Sequence, residues 1–143
     1  LKKKIIIFCD YNEPLRLLQN KLSKINILSH FINGDIDSID RFRMLRDFKS
    51  NNLITVLLCN SKIGREGLNL TEASTMVFLN EWWNPSSNRQ AEDRINRIGQ
   101  KEEIQIYLLR SKNTIDIHVA SILGDKNIVE KDFLDQLLYK IKT

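Results

Sequence analysis

The chain has 143 residues, of which 42% are hydrophobic, 28% charged and 8% aromatic, a composition typical of one globular domain. It has no run of about 18 uncharged apolar residues and no secretory pattern at its N-terminus, so we expect neither a membrane-spanning nor a secreted protein. The net charge of +4, from 22 basic and 18 acidic side chains, is compatible with nucleic-acid binding without requiring it.

The cysteines and histidines of the chain do not predict a metal site or a disulfide framework. Cys9 and Cys59 each end a stretch of strand-like apolar sequence, which predicts buried free thiols. His30 and His118 lie far apart and without ligand spacing, so no bound metal is expected. Because the chain begins with Leu1 rather than methionine, we expect it to be a piece of a longer protein.

The first half of the chain alternates strand-like and helix-like segments. Residues 5–9 form a continuous apolar run, which is typical of a strand covered on both faces. After a turn at 10–12, Pro14 suits the first turn of a helix, whose apolar face is predicted to comprise Leu15, Leu17, Leu18 and Leu22.

A second strand and a second helix follow. The strand is predicted within 27–32 and ends at the turn sequence 33–35. Asp37 and Ser38 are capping candidates for the helix. Its predicted apolar positions lie three residues apart, at Ile39, Phe42, Leu45 and Phe48.

The second half continues the same alternation. Further strands are predicted at 55–59, 75–79 and 104–109, and a polar helix at about 85–98 ends at Gly99. The C-terminal part reads as helical, with one apolar stripe at 115–123 and another at 133–141. Strands alternating with helices predict an α/β domain with a mostly parallel central sheet, whose ligands collect beyond the carboxyl ends of the strands.

The segment after the third predicted strand, residues 60–71, combines Gly64 and Gly67 with Ser61 and Lys62. Glycines let backbone N–H groups approach phosphate oxygens closely, and the hydroxyl and ammonium groups add donors. A phosphate-contacting loop and an ordinary polar connection explain this segment equally well. It is not a Walker A loop, because no glycine is followed by lysine and a hydroxyl residue at the required spacing.

Two adjacent tryptophans, Trp82 and Trp83, follow the fourth predicted strand. Because side chains alternate between the faces of a strand, both cannot enter one core, and at least one is expected near the surface. A surface tryptophan stacks on a base or fills a partner's pocket, but covering the edge of the protein's own core explains the pair about as well.

The predicted polar helix carries Arg94 and Arg97 three residues apart, so that their side chains share one helical face. Two guanidinium groups on one face suit a phosphate or carboxylate partner. From this segment alone, a set of salt bridges with Glu92 and Asp93 explains the charge pattern somewhat better.

Taken in order, these segments resemble the C-terminal half of the SWI/SNF-type ATPase motor, a branch of the superfamily 2 helicases. The resemblance spans nearly the whole chain. Residues 4–9 are similar to the family's motif IV strand, and Gly34, Arg41 and Phe48 match the glycine, arginine and phenylalanine that follow its second strand. Residues 61–71 are similar to motif V, and residues 90–100 are similar to motif VI. Between them, Trp83-Asn84-Pro85 matches the family's Trp-Asn-Pro signature. The Gln-Ala-Glu-Asp-Arg form of motif VI, with Thr114 and Asp116, is most similar to the distant subgroup that includes annealing helicases.

The resemblance implies a RecA-like three-layer domain over residues 1–124. From the apolar stripe at 133–141, we expect residues 125–143 to form a C-terminal helical extension that packs on the same lobe, with packing on the first lobe as the alternative. The resemblance also implies that ATP binds between this lobe and an N-terminal first lobe. That first lobe would supply the phosphate loop and the acidic motif that holds Mg²⁺, neither of which occurs in this sequence. The isolated 143-residue lobe is therefore expected to be inactive.

The same resemblance implies roles for individual residues. Arg94 and Arg97 would be catalytic arginines that reach the γ-phosphate, and Gly67 and Gln90 would join them in the ATP site. Arginines delivered to developing negative charge in this way contribute factors of about 10³ to 10⁵ in turnover. The implied DNA-binding residues are Gly34, Ser61, Lys62, Gly64 and Trp83, with Trp82 as a packing residue.

The sequence departs from the family's usual pattern at three places. Arg65 and Glu66 stand where motif V commonly has small residues, Asn80-Glu81 replaces a common aspartate, and Asn96 stands where histidine is frequent. None of these changes touches the two motif VI arginines, so the implied ATPase assignment is retained.

The implied function is the second lobe of a double-stranded-DNA-stimulated ATPase that translocates along DNA and remodels chromatin or other DNA structures. The alternative is a non-catalytic nucleic-acid-binding or protein-interaction module that keeps the lobe fold. The implied partners are double-stranded DNA, the N-terminal lobe, and nucleosomes or other nucleoprotein, with no membrane. The expected location is the nucleus if the source is eukaryotic, and otherwise the interior of the cell.

Overall fold

The computed structural model describes residues 3–64, 69–80 and 103–109. Five parallel strands form one sheet in the order β2-β3-β1-β4-β5. The strands are β1 (Ile5–Cys9), β2 (Leu28–Ile32), β3 (Ile54–Asn60), β4 (Thr75–Phe78) and β5 (Gln105–Leu108). The helices are α1 (Asn12–Lys24), α2 (Ser38–Ser50) and α3 (Ser61–Gly64). The predicted strands and the α/β class are confirmed, whereas the helices predicted beyond residue 84 and the boundary at 124/125 lie outside the described residues.

The central strand β1 contributes side chains to two hydrophobic cores, one on each face of the sheet. Ile7 packs in a cluster with Leu15 of α1, and its neighbour Phe8 packs in a second cluster with Phe48 of α2. Successive side chains of a strand point to opposite faces, so helices cover both sides. The result is a three-layer arrangement in which every residue of β1 is buried.

The predicted apolar face of α2 is wrong in its first half. Ile39 and Phe42 are 63% and 67% exposed, whereas Phe48 is fully buried. Each residue advances about 100° around an α-helix, so positions nine apart, such as Ile39 and Phe48, lie about 180° from each other. The helix instead packs on the sheet through Phe48 with Met44 and Leu45.

Leu17 likewise lies outside the buried face of α1 that the sequence predicts for it. Its side chain is 57% exposed, whereas Leu15 and Leu22 are buried. Two residues correspond to about 200° around the helix, which turns Leu17 away from the side that Leu15 presents to the sheet. The buried stripe of α1 is therefore narrower than predicted.

The end of α1 is closed by a left-handed residue. Asn26 has a φ of 60°, and its N–H donates to the Ser23 carbonyl at 3.0 Å. The N–H of the next residue, Ile27, donates to the Leu22 carbonyl at 2.9 Å. This pair of bonds is a Schellman motif, and it turns the chain from α1 into β2.

Both cysteines of the chain, Cys9 and Cys59, are buried, as predicted. Burial raises the pKa of the Cys9 thiol. Across residues 3–64, 69–80 and 103–109, no helix has the length and apolarity needed to cross a bilayer.

Candidate functional site

The carboxyl ends of the parallel strands bring together several residues that the sequence analysis selected. Gly34 lies in the turn after β2, and Ser61 and Lys62 begin α3 directly after β3. Because β2 and β3 are parallel neighbours, both segments leave the sheet at the same edge. Ligands of open α/β sheets bind at this edge, which makes it the candidate site.

The turn around Gly34 is held by its neighbours. The Asn33 Oδ1 atom accepts from the Asp35 N–H at 3.1 Å, and the Asn33 carbonyl accepts from the Ile36 N–H at 3.4 Å. A Cβ atom built on Gly34 meets no heavy atom within 4 Å. The packing of the described residues therefore does not require glycine here, and the exposed backbone is open to close approach by a ligand.

The start of α3 presents one of its two selected side chains to solvent and buries the other. Lys62 is exposed, and its backbone N–H donates to Asn60 Oδ1 at 3.1 Å. Ser61 is fully buried, and its hydroxyl has no hydrogen-bond partner among the described residues. Gly64 is the last residue of the helix. At this position Lys62 is the side chain able to reach a phosphate without rearrangement.

Asp10, the residue after the central strand β1, links the ends of three strands. Asn80, which follows β4, accepts from the Asp10 N–H at 2.9 Å and donates to Asp10 Oδ2 at 2.8 Å. On the other side, Asn60 Nδ2 donates to the Asp10 carbonyl at 3.2 Å and to Asn12 Oδ1 at 2.7 Å. The peptide groups of Asp10 are thus tied to the neighbours of β1 on both sides.

The sequence does not predict a site at this polar junction, which is formed by Asp10, Asn12, Asn60 and Asn80. It predicts only a turn at residues 10–12, and Asn80 is only one of the departures from the family's pattern. The sequence does contain one indication of this junction, which is the position of its residues: Asp10, Asn60 and Asn80 each stand at or just after the end of a buried strand. Polar side chains at adjacent carboxyl ends of a parallel sheet are expected to meet.

The other predicted site residues, which are Gly67, Trp83, Gln90, Arg94 and Arg97, lie outside the described residues. Within the part of the chain that the structure describes, no group of three or more His, Cys, Asp or Glu side chains could hold a metal ion. The described residues thus supply one side of a candidate site, with Gly34, Lys62 and the polar junction along a single edge.

The parallel sheet, its helices on both faces and its polar carboxyl edge define a RecA-like α/β lobe. The family model of the helicase conserved C-terminal domain matches residues 1–99. The chain belongs to this family, and its relatives are ATPases of the SWI/SNF type, which confirms the resemblance. The finer placement beside annealing helicases stays a prediction.

Two relatives and one solved structure illustrate the similarity. The TATA-binding protein-associated factor MOT1 of Saccharomyces cerevisiae is 36% identical over 134 residues, which cover 92% of this chain and 7% of that protein. The DNA repair protein RAD5A of Arabidopsis thaliana is 35% identical over 86% of this chain and 12% of that protein. The C-terminal part of the Fun30 ATPase domain superposes with a TM-score of 0.81 and 25% identity, covering 95% of this chain and 45% of that one. The chain therefore spans only a small part of the relatives that it matches.

Proposed function

We propose that this chain is the second motor lobe of a double-stranded-DNA-stimulated ATPase that translocates along DNA and remodels chromatin or other DNA structures. The observation that carries the proposal is the match to the helicase C-terminal domain over residues 1–99. In support, Chromatin-remodeling ATPase INO80 of Arabidopsis thaliana is 30% identical over 90% of this chain. Double-stranded DNA, alone or in nucleosomes and other nucleoprotein, is the partner we propose.

On the nucleotide side, the proposed roles follow the motif VI resemblance. Arg94 and Arg97 are the arginines proposed to reach the γ-phosphate of ATP when the lobes close, and Gly67 and Gln90 are the other proposed ATP-site residues. Guanidinium groups stabilise the charge that develops on a transferred phosphoryl group. Following the same resemblance, we assign Mg²⁺ to the acidic motif of the N-terminal lobe and derive no step from it.

On the DNA side, the exposed Lys62 and the open backbone at Gly34 are the proposed contacts to phosphate. Such contacts hold DNA in register and give salt-dependent affinity without reading its sequence. Gly64 and Trp83 stay in the proposed DNA surface. Because its side chain is buried, we assign Ser61 to the support of α3 beneath that surface rather than to a direct contact.

Three further expectations belong to this proposal. Residues 1–124 form the lobe, 125–143 pack on it, and the 143 residues alone do not hydrolyse ATP because the first lobe is needed for the phosphate site. The protein acts in the nucleus if its source is eukaryotic and inside the cell otherwise.

The first test is ATP hydrolysis by the longest native gene product, with and without double-stranded DNA, for the wild type and Arg97→Ala. We expect stimulation by DNA in the wild type and a loss of about 10³-fold or more in the variant. Arg16→Ala is the matched control, because Arg16 is exposed on α1, and it should keep wild-type turnover.

Two results would count against the proposal. Stimulated hydrolysis that persists in Arg97→Ala would contradict the role of that arginine. A folded wild type that binds DNA and does not hydrolyse ATP would favour the non-catalytic module instead.

A further inference from the structure

The end of the central strand is held by a reciprocal pair of hydrogen bonds. Asn80 accepts from the Asp10 N–H through Oδ1 and donates to the Asp10 carboxylate through Nδ2, at 2.9 and 2.8 Å. An amide side chain can accept and donate at once, whereas a carboxylate can only accept. The bond between the two side chains therefore needs at least one amide, and it is lost if both side chains are carboxylates.

The opposite side of Asp10 is tied to β3. Asn60 is buried at the end of that strand, and its Nδ2 atom donates to the Asp10 carbonyl at 3.2 Å. Its Oδ1 atom accepts from the Lys62 N–H at 3.1 Å, so the same side chain fixes the start of α3. A continuous chain of hydrogen bonds thus runs from Asn80 through Asp10 and Asn60 to Lys62.

The two strands joined in this way lead into different parts of the proposed motor. β3 runs directly into α3, which carries the proposed DNA contact Lys62, whereas the chain after Asn80 continues in sequence to the proposed ATP-site residues Gln90, Arg94 and Arg97. Because β1 lies between β3 and β4 in the sheet, the hydrogen bonds of Asp10 can fix the distance between the C-terminal ends of β3 and β4.

We propose that Asp10, held between Asn60 and Asn80, is a positioning residue that couples DNA contact after β3 to ATP turnover. The inference rests on the proposed function. Its structural content is that at least one of the two facing side chains must be an amide, whichever strand supplies it.

The test exchanges the two groups in the longest native gene product. Asn80→Asp places two carboxylates together and removes the Nδ2 donor. The ratio of DNA-stimulated to basal hydrolysis should then fall by about tenfold to about 100-fold, because a misplacement of about 1 Å can cost about 100-fold in rate. Asp10→Asn retains both hydrogen bonds, because its backbone N–H still donates to Asn80 and its new Oδ1 atom accepts from Asn80 Nδ2. The ratio should therefore change little in this variant. The double variant Asp10→Asn with Asn80→Asp restores the pair in reverse, and we expect a ratio within about threefold of wild type because neighbouring substitutions compensate.

Asn52→Asp is the matched control, because Asn52 is exposed just before β3 at the opposite edge of the sheet. Thermal unfolding of every variant separates loss of fold from loss of coupling. Wild-type stimulation in a folded Asn80→Asp, or a folded double variant no better coupled than Asn80→Asp, would overturn the inference. A wild type that DNA does not stimulate would overturn the proposed function and this inference with it.

Discussion

His30 lies on β2, at one edge of the described sheet, and its surroundings disfavour its charged form. Burial lowers the pKa of this imidazole below its ordinary value, and the nearby Asp47 partly opposes the change by raising it. The His30 Nε2 and Asp47 Oδ2 atoms are 3.9 Å apart, so the carboxylate acts through its charge rather than through a hydrogen bond.

The lowered pKa predicts a loss of stability in acid. The unfolded chain binds the His30 proton at a higher pH than the folded chain, so this contribution to stability is complete above the unfolded pKa of about 6.5 and is lost as the pH falls through the folded value. Urea unfolding of the 143-residue chain at about pH 7.5 and about pH 5 measures the change. His30→Gln should show a smaller loss than wild type, and Asp47→Asn a larger one. An equal loss in wild type and His30→Gln would contradict this account.

Single residues also mark the limit of what the sequence predicts. The sequence predicts a turn at Gly34 and places Lys62 in a polar segment after a strand, and the structure leaves both residues exposed. It did not reveal that Ser61, beside Lys62, is buried, because that depends on β3 passing into α3 without a loop. The link from Asp10 to Asn60 and Asn80 joins positions 50 and 70 residues apart, and no local pattern reports such a pairing.

At the level of elements, α2 is fixed at both ends by polar groups. Asp37 is its N-cap and accepts from the Ile39 and Asp40 N–H groups at 2.9 and 2.8 Å. At the other end, the buried Lys4 ammonium donates to the carbonyls of Phe48 and Lys49 and lies 5.0 Å from the centre of the Phe48 ring. A cation at a helix C-terminus satisfies carbonyls that have no partner within the helix.

Removing this cation is predicted to destabilise α2. Burial lowers the pKa of Lys4, which Glu72 partly opposes, so the ammonium depends on its carbonyl partners. Lys4→Met keeps much of the aliphatic length but leaves those carbonyls without a donor, and we expect about 2 kcal/mol less free energy of unfolding. Lys3→Met is the matched control, because Lys3 is exposed, and it should change little. Equal effects of the two substitutions in chemical unfolding would refute the capping role.

The strands were predicted better than the helix faces, for a geometric reason. A continuous apolar run such as 55–59 predicts a strand that is buried on both faces, so no choice between faces has to be made. β3 contains this run in full. A spacing of three, as in Ile39 to Phe48, drifts around a helix of 3.6 residues per turn. The packing of α2 against the sheet then determines which of these apolar residues are buried. The role of Lys4 was hidden for a similar reason, since three consecutive lysines are equivalent in sequence.

For the whole molecule, the central claim is that the carboxyl edge of this sheet holds DNA while the lobe completes an ATP site. The chain covers 7% and 12% of the lengths of MOT1 and RAD5A, so its activity is proposed for the longer protein. The exposed Lys62 is the residue on the described edge through which the claim is tested most simply.

The decisive measurement is the rate of ATP hydrolysis by the longest native gene product as a function of double-stranded DNA and salt concentration. For the wild type we predict saturable stimulation, with a DNA concentration for half-maximal rate that rises with salt. Lys62→Ala should raise that concentration and reduce its salt slope by about one, whereas Lys3→Ala, at the opposite edge of the sheet, should match the wild type. A wild-type rate that does not respond to DNA at any concentration would contradict the claim.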